Sequence, residues 1–183
     1  MLPPAAALAT VLLLAGCVPT DPIITPEPAP DATPIFASDE EALAAATEAY
    51  KKYLAVSDAI TADGGAGADR VVDYVSAEQL PIELESFKKL EESHRRTDGT
   101  TNFDVTSLQK YVDGKDGTAS VVVYVCVDVS TVRVVDETGA DVTPANRVDR
   151  VPLEVEFQVT SNEPREILIA RSETWSGNDF CQN

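Results

Sequence analysis

An α+β domain, helices first and an antiparallel sheet after them, is what the sequence from Ile35 to Asn183 predicts. Apolar residues recur at every third or fourth position up to about Arg96, and at every second position after Gly99. Turn-forming clusters at Asp113–Gly117 and Asp136–Gly139 separate the alternating runs, so the strands are joined by short or moderate loops, as in an antiparallel meander. A stretch of about 150 residues is enough for one domain around one core.

Each element has a local cause. Ser38-Asp39-Glu40-Glu41 is a capping box, with carboxylates where the helix dipole favours them. Leu43, Ala46, Tyr50, Tyr53, Leu54, Ser57 and Ile60 then form one packing stripe, ended by Asp63-Gly64-Gly65. Gly64, Gly65 and Gly67 mark a loop, and Arg70 to Val75 read as a short helical turn. Ser76 to Gln79 form a second capping box followed by Pro81, and Leu84, Phe87 and Leu90 place a helix over 82–96, closed by basic residues and Gly99. Phe103, Val105, Ser107, Gln109 and Tyr111 alternate as a first strand. The second strand is the clearest, with Val121, Val123, Val125, Val127 and Val129 on one face and Ser120, Tyr124, Cys126, Asp128 and Ser130 on the other, continuing to Val135. Val151, Leu153, Val155, Phe157 and Val159 define a third strand, Ile167 to Trp175 a fourth, and a tail carries Cys181.

Ahead of the domain, the residues before Cys17 carry no charged side chain, and Ala5 to Ala15 are apolar apart from Thr10. This is an export signal with a small-residue cleavage site. An apolar run of about 11 residues spans roughly 17 Å as a helix against a hydrocarbon core of about 30 Å, too short for a stable anchor. Export signals normally begin with Lys or Arg, and their lack here points to a translation start upstream of Met1. Leu14-Ala15-Gly16-Cys17 resembles the bacterial lipobox. The resemblance implies a mature chain beginning at Cys17, with a diacylglyceryl thioether and, once the new amine is acylated, a third chain of the palmitate type. Each buried methylene contributes about 0.8 kcal/mol, so two or more chains hold firmly. Pro19, Pro22, Pro26, Pro28, Pro30 and Pro34 favour an extended polyproline-type spacer that reaches roughly 50 Å. The organisation expected is a signal peptide over 1–16, a lipidated Cys and Pro-rich linker over 17–34, and one domain over 35–183. The expected address is the cell membrane, lipid-anchored, on its extracytoplasmic face.

With Cys17 set aside, Cys126 and Cys181 remain as a single pair in an exported chain, which reads as a disulfide. A metal site or a reactive thiol needs more ligands than two Cys and one His without a CxxC. On this reading Cys126 lies on the wetter sheet face and the disulfide straps the tail across the outside of the sheet; the alternative is a tail paired at a sheet edge. Three of the 31 acidic residues, Asp21, Glu27 and Asp31, precede the domain, which therefore holds 28 acids against all 14 bases, a net charge of −14. Such a field disfavours nucleic acid and anionic lipid headgroups.

The opening helix with Tyr50 and Tyr53, the Ser76-Ala77-Glu78-Gln79-Leu80 segment and the Val-rich second strand resemble the cone-shaped nuclear-transport-factor-like (NTF2-like, cystatin-like cone) superfamily over about Ser38 to Trp175. More narrowly, Tyr124 to Ser130, Pro144, Arg147, Val151-Pro152 and Trp175 to Cys181 are similar to a group of actinobacterial lipoproteins of unassigned function. The resemblance implies helices on a curved four-stranded antiparallel sheet, whose open face is where a second copy would pair into a homodimer. Such folds host isomerases, dehydratases, binding subunits and spacers, so function must come from a site.

The only histidine, His94, sits with Arg95 and Arg96 at a helix C-terminus, where cations suit the dipole. Isomerases of this fold use a carboxylate base on the concave side of the sheet. Asp104 and Asp128 are predicted to point outward instead. Arg171, Glu173 and Trp175 share one face of the last strand, as a cross-strand structural pair or at a cavity mouth. Asp113/Asp116 and Asp136/Glu137 do not have the spacing of a calcium loop. No catalytic, cofactor-binding or metal set assembles. The favoured expectation is a non-catalytic envelope module that binds a protein partner or a small apolar ligand. The alternatives are a structural spacer or inhibitor-like domain and, further behind, a cavity enzyme of the lyase or isomerase type.

Overall fold

Ser38 opens helix α1 (Asp39–Ala62), its hydroxyl accepting from the Glu41 N–H at 3.3 Å. The Glu41 carboxylate accepts in return from the Ala37 N–H, one residue outside the cap. The computed structural model describes residues 33–182, apart from Lys115 and Glu163; the leader, Cys17 and the linker up to residue 32 lie outside the described residues. The stripe of α1 keeps Ala46, Tyr50, Leu54 and Ile60 as read off the sequence and begins at Ala42 in place of Leu43. Ala42, Ala46, Tyr50, Leu54 and Ile60 are buried, whereas Leu43 and Tyr53 are half-buried. Small side chains on the buried line let the helix approach the sheet closely.

Gly65 takes a φ of +93°, and a Cβ there would collide with the Phe87 carbonyl, so the loop after α1 packs tightly on the second helix. A 3₁₀ turn (Ala68–Tyr74) buries Val71, as the short helical turn predicted. Val75 is extended and bridges Ile169 in parallel, with the Ser76 N–H donating to the Ile169 carbonyl at 2.8 Å. Ser76 then accepts from the Gln79 N–H, and α2 (Leu80–Glu92) follows. It buries Phe87, but Leu84 is exposed, and the helix stops at Glu92 instead of Arg96. His94 adopts a left-handed φ of 54°, which breaks the helix, and Arg96–Asp98 turns away as strand β1.

Strand β2 (Asn102–Asp113) departs from strict alternation. Register shifts between Val105/Ser107 and Leu108/Lys110 insert extra residues, so Phe103, Val105, Leu108 and Tyr111 face the core, in place of Ser107 and Gln109. Strand β3 (Thr118–Asp128) has the predicted Val face inward but ends at Asp128 rather than running on to Val135. A turn follows, held by the Arg147 guanidinium on the carbonyls of Val129 and Val132 at 2.8 and 2.7 Å. The chain then forms β4 (Arg133–Val135), which pairs with β1 in a separate two-stranded sheet. Strands β5 (Arg150–Thr160) and β6 (Ile167–Thr174) complete an antiparallel four-stranded sheet of order β2-β3-β5-β6. The fold is α+β, with helices on one face of this sheet.

Val121, Val123, Val125, Val155, Phe157 and Ile169 meet α1 across the core, and Tyr50 packs edge-on against Phe103 at 5.1 Å. Phe36 seals the start of the domain: its N–H donates to the Tyr111 hydroxyl at 3.0 Å, and the Arg165 guanidinium lies 4.8 Å above its ring. Among the described residues no helix is long and apolar enough to cross a membrane.

Candidate functional site

A carboxylate base of the kind the sequence resemblance implies would need the space between α1 and the sheet. That space is packed with Tyr, Val, Leu and Phe side chains. The half-buried Glu83 carboxylate has both oxygens engaged: Tyr53 donates to one at 3.0 Å and the Gln79 amide to the other at 2.9 Å. Burial, with the Glu83 charge added, pushes the Tyr50 and Tyr53 phenols well above the ordinary tyrosine range, so both remain protonated.

Asp104 and Asp128 lie on the other side of the sheet, where they flank Arg150 at 3.3 and 3.2 Å. Hydrogen bonds from Ser130, with Arg150 nearby, hold the Asp128 carboxyl below its ordinary value. Arg150 also donates to the Cys181 carbonyl at 3.1 Å, tying the tail to the sheet. Cys126 and Cys181 form a disulfide with a Cα–Cα distance of 5.5 Å. Cys126 is on the outer face, as predicted, yet that face is dry here: the tail folds over as a 3₁₀ turn (Phe180–Gln182), and Tyr124 packs against Trp175 at 4.9 Å and Phe180 at 5.2 Å.

Arg171 sits on the outer face among Glu173 (2.9 Å), Glu154 (3.2 Å) and Glu156 (3.4 Å). Desolvation would lower its pKa, but Glu173 and Glu156 outweigh that and raise it. With Trp175 on Tyr124, the face formed by Arg171, Glu173 and Trp175 is a cross-strand structural cluster and does not open onto the interior. His94 is exposed, 3.5 Å from Glu137. Asp113 ties the start of the domain to β2, accepting from Tyr111 and the Ile35 N–H, while Asp116 accepts from Thr118 and Asp136 from Thr138 within their turns. No three potential metal ligands converge among the described residues.

A groove of about 550 Å³ lies elsewhere, between α1, the 3₁₀ turn and the start of β6. Its half-buried floor is formed by Ala45, Ala49, Tyr74, Ile167 and Leu168. Its exposed rim carries Glu48, Lys52, Asp73, Arg165 and Glu166 beside Val72. The sequence reading did not single out these residues. Ala45 and Ala49, four apart on one helix face, were the available signal, and their small size is what leaves the groove unfilled.

No protein-family model matches the chain, and no curated protein does. Among solved structures, the domain is similar to the crystal structure of the intermembrane space region of the chloroplast protein ARC6. The TM-score is 0.51 at 12% identity, over 74% of this chain and 97% of that one. At that identity the likeness is one of fold alone.

Proposed function

We propose that this chain is an exported lipoprotein of the cell envelope, anchored through Cys17 on the extracytoplasmic face of the membrane. Its NTF2-like domain, of the kind found in the actinobacterial lipoproteins it resembles, is a non-catalytic module that binds a protein partner in the groove between α1 and β6. One observation carries the binding reading: the interior is packed while the surface groove is open, so recognition falls to the surface. The buried disulfide supports an oxidising compartment. The six prolines from Pro19 to Pro34 support a spacer between anchor and domain.

Two measurements on the full chain in its native envelope test this. Cys17→Ser should move the protein from the membrane fraction to the soluble one; persistence on the membrane would end the anchor reading. A photo-crosslinking side chain at Lys52, on the groove rim, should give a discrete protein adduct that the same group at Lys110 on β2 does not. Adducts at both positions or at neither would end the groove reading.

A further inference from the structure

We infer that the groove receives an extended cationic peptide segment, laid against the free edge of β6 as an added strand; this deepens the binding-module reading and rests on it. The backbone supplies the first argument. The Thr160 N–H donates to the Glu166 carbonyl. By antiparallel alternation, Leu168 then points its backbone groups at β5, while Ile167 and Ile169 point theirs away from it. The Ile169 carbonyl is taken by Ser76, whose neighbour Val75 lies extended beside it, so this edge already accepts a parallel strand at one position. Ile167 lines the groove, and its outward backbone groups have no partner in another segment among the described residues. An edge of this kind binds a peptide through main-chain hydrogen bonds and reads alternate side chains in pockets.

The side chains set the occupant's chemistry. Ala45 and Ala49 leave room above an apolar floor that includes Tyr74 and Leu168, which suits apolar side chains at alternate positions. Both groove cations are already engaged: Lys52 lies 4.0 Å from Glu48, and Arg165 lies 3.7 Å from Glu41. Asp73 and Glu166 are exposed on the rim, and among the described residues no base lies within ion-pair distance of either. The uncompensated charge of the groove is therefore negative, in a strongly acidic domain, and it attracts a segment bearing Lys or Arg.

The test is fluorescence anisotropy with the purified full chain and two short labelled peptides, one alternating Lys with Val and the other Glu with Val. The Lys-Val probe should bind about tenfold more tightly or better, and Asp73→Asn with Glu166→Gln, both exposed changes that spare the core, should remove about tenfold of its affinity. Alternate backbone N-methylation of the Lys-Val probe should weaken it by a similar factor, which charge attraction alone would not do. Equal binding of the two probes, indifference to the paired variant, indifference to N-methylation, or silence of both probes would each overturn the inference. If the probes are silent while crosslinking at Lys52 still captures a partner, the strand-addition inference alone falls; if both fail, the binding-module reading falls with it.

Discussion

On the inner face of β3, Val121, Val123 and Val125 are at most 1% exposed beneath α1. On the outer face of the same strand, Tyr124, Cys126 and Asp128 are held by a disulfide, two aromatic contacts and an arginine. The inner face is stabilised by burial without directional chemistry, about 1.5–3 kcal/mol for each fully buried apolar side chain. The outer face depends on particular partners brought from β5, β6 and the tail. Its ion pairs around Arg171 are partly exposed and each contributes at most about 1 kcal/mol. Its disulfide, spanning a sequence separation of 55, contributes about 4 kcal/mol in chain-entropy reasoning. Packing thus holds the helices to the sheet, and a covalent strap holds the tail.

Four experiments break or sharpen this contrast. Phe157→Ala, in the middle of the inner face, should cost about 3–5 kcal/mol in chemical denaturation. A loss below about 1 kcal/mol would mean that the inner face is not the centre of stability. Paired Cys126→Ser and Cys181→Ser should cost about 2–4 kcal/mol and loosen the near-ultraviolet signal of Trp175 while far-ultraviolet dichroism is retained. Complete unfolding would erase the distinction between strap and core.

Tyr53→Phe should cost about 1 kcal/mol at neutral pH by removing its bond to Glu83, leaving Gln79 in place. The same variant has a pH signature. The Tyr53 pKa is raised in the folded chain above its ordinary 10.0, so its contribution is fully present below that pH and is lost as the pH climbs beyond it. Denaturation midpoints followed into alkali should therefore fall less steeply in the variant than in the parent; parallel curves would show that Tyr53 does not govern the alkaline limb. The smallest effect belongs to Arg171→Met, within about 1 kcal/mol and shrinking further in high salt. A larger, salt-insensitive loss would show that the outer cluster behaves as a buried network.

Much of the fold is written locally. Ser38 with Glu41, and Ser76 with Gln79, announce helix starts within four residues. The Val alternation of β3 and β5 declares which face is buried, and the turn after Asp113 separates β2 from β3. The cysteine count identified the disulfide, and strand parity placed Cys126 outside.

Other features depend on segments far apart in the chain. Register shifts near Thr106 and Gln109 exist because β2 must stay paired with β3 while bending, and they exchange Leu108 for Ser107 and Gln109 in the core. The departure of β4 from β3 goes with the pairing of Arg133–Val135 with Arg96–Asp98, which follow the end of α2. The groove belongs to this second class: two alanines of α1, a tyrosine of the 3₁₀ turn and the first residues of β6 come together only when the sheet is complete. Periodicity and capping chemistry act between near neighbours and can be read from the sequence alone. A surface opening is the space that distant side chains fail to fill, and no local pattern records it.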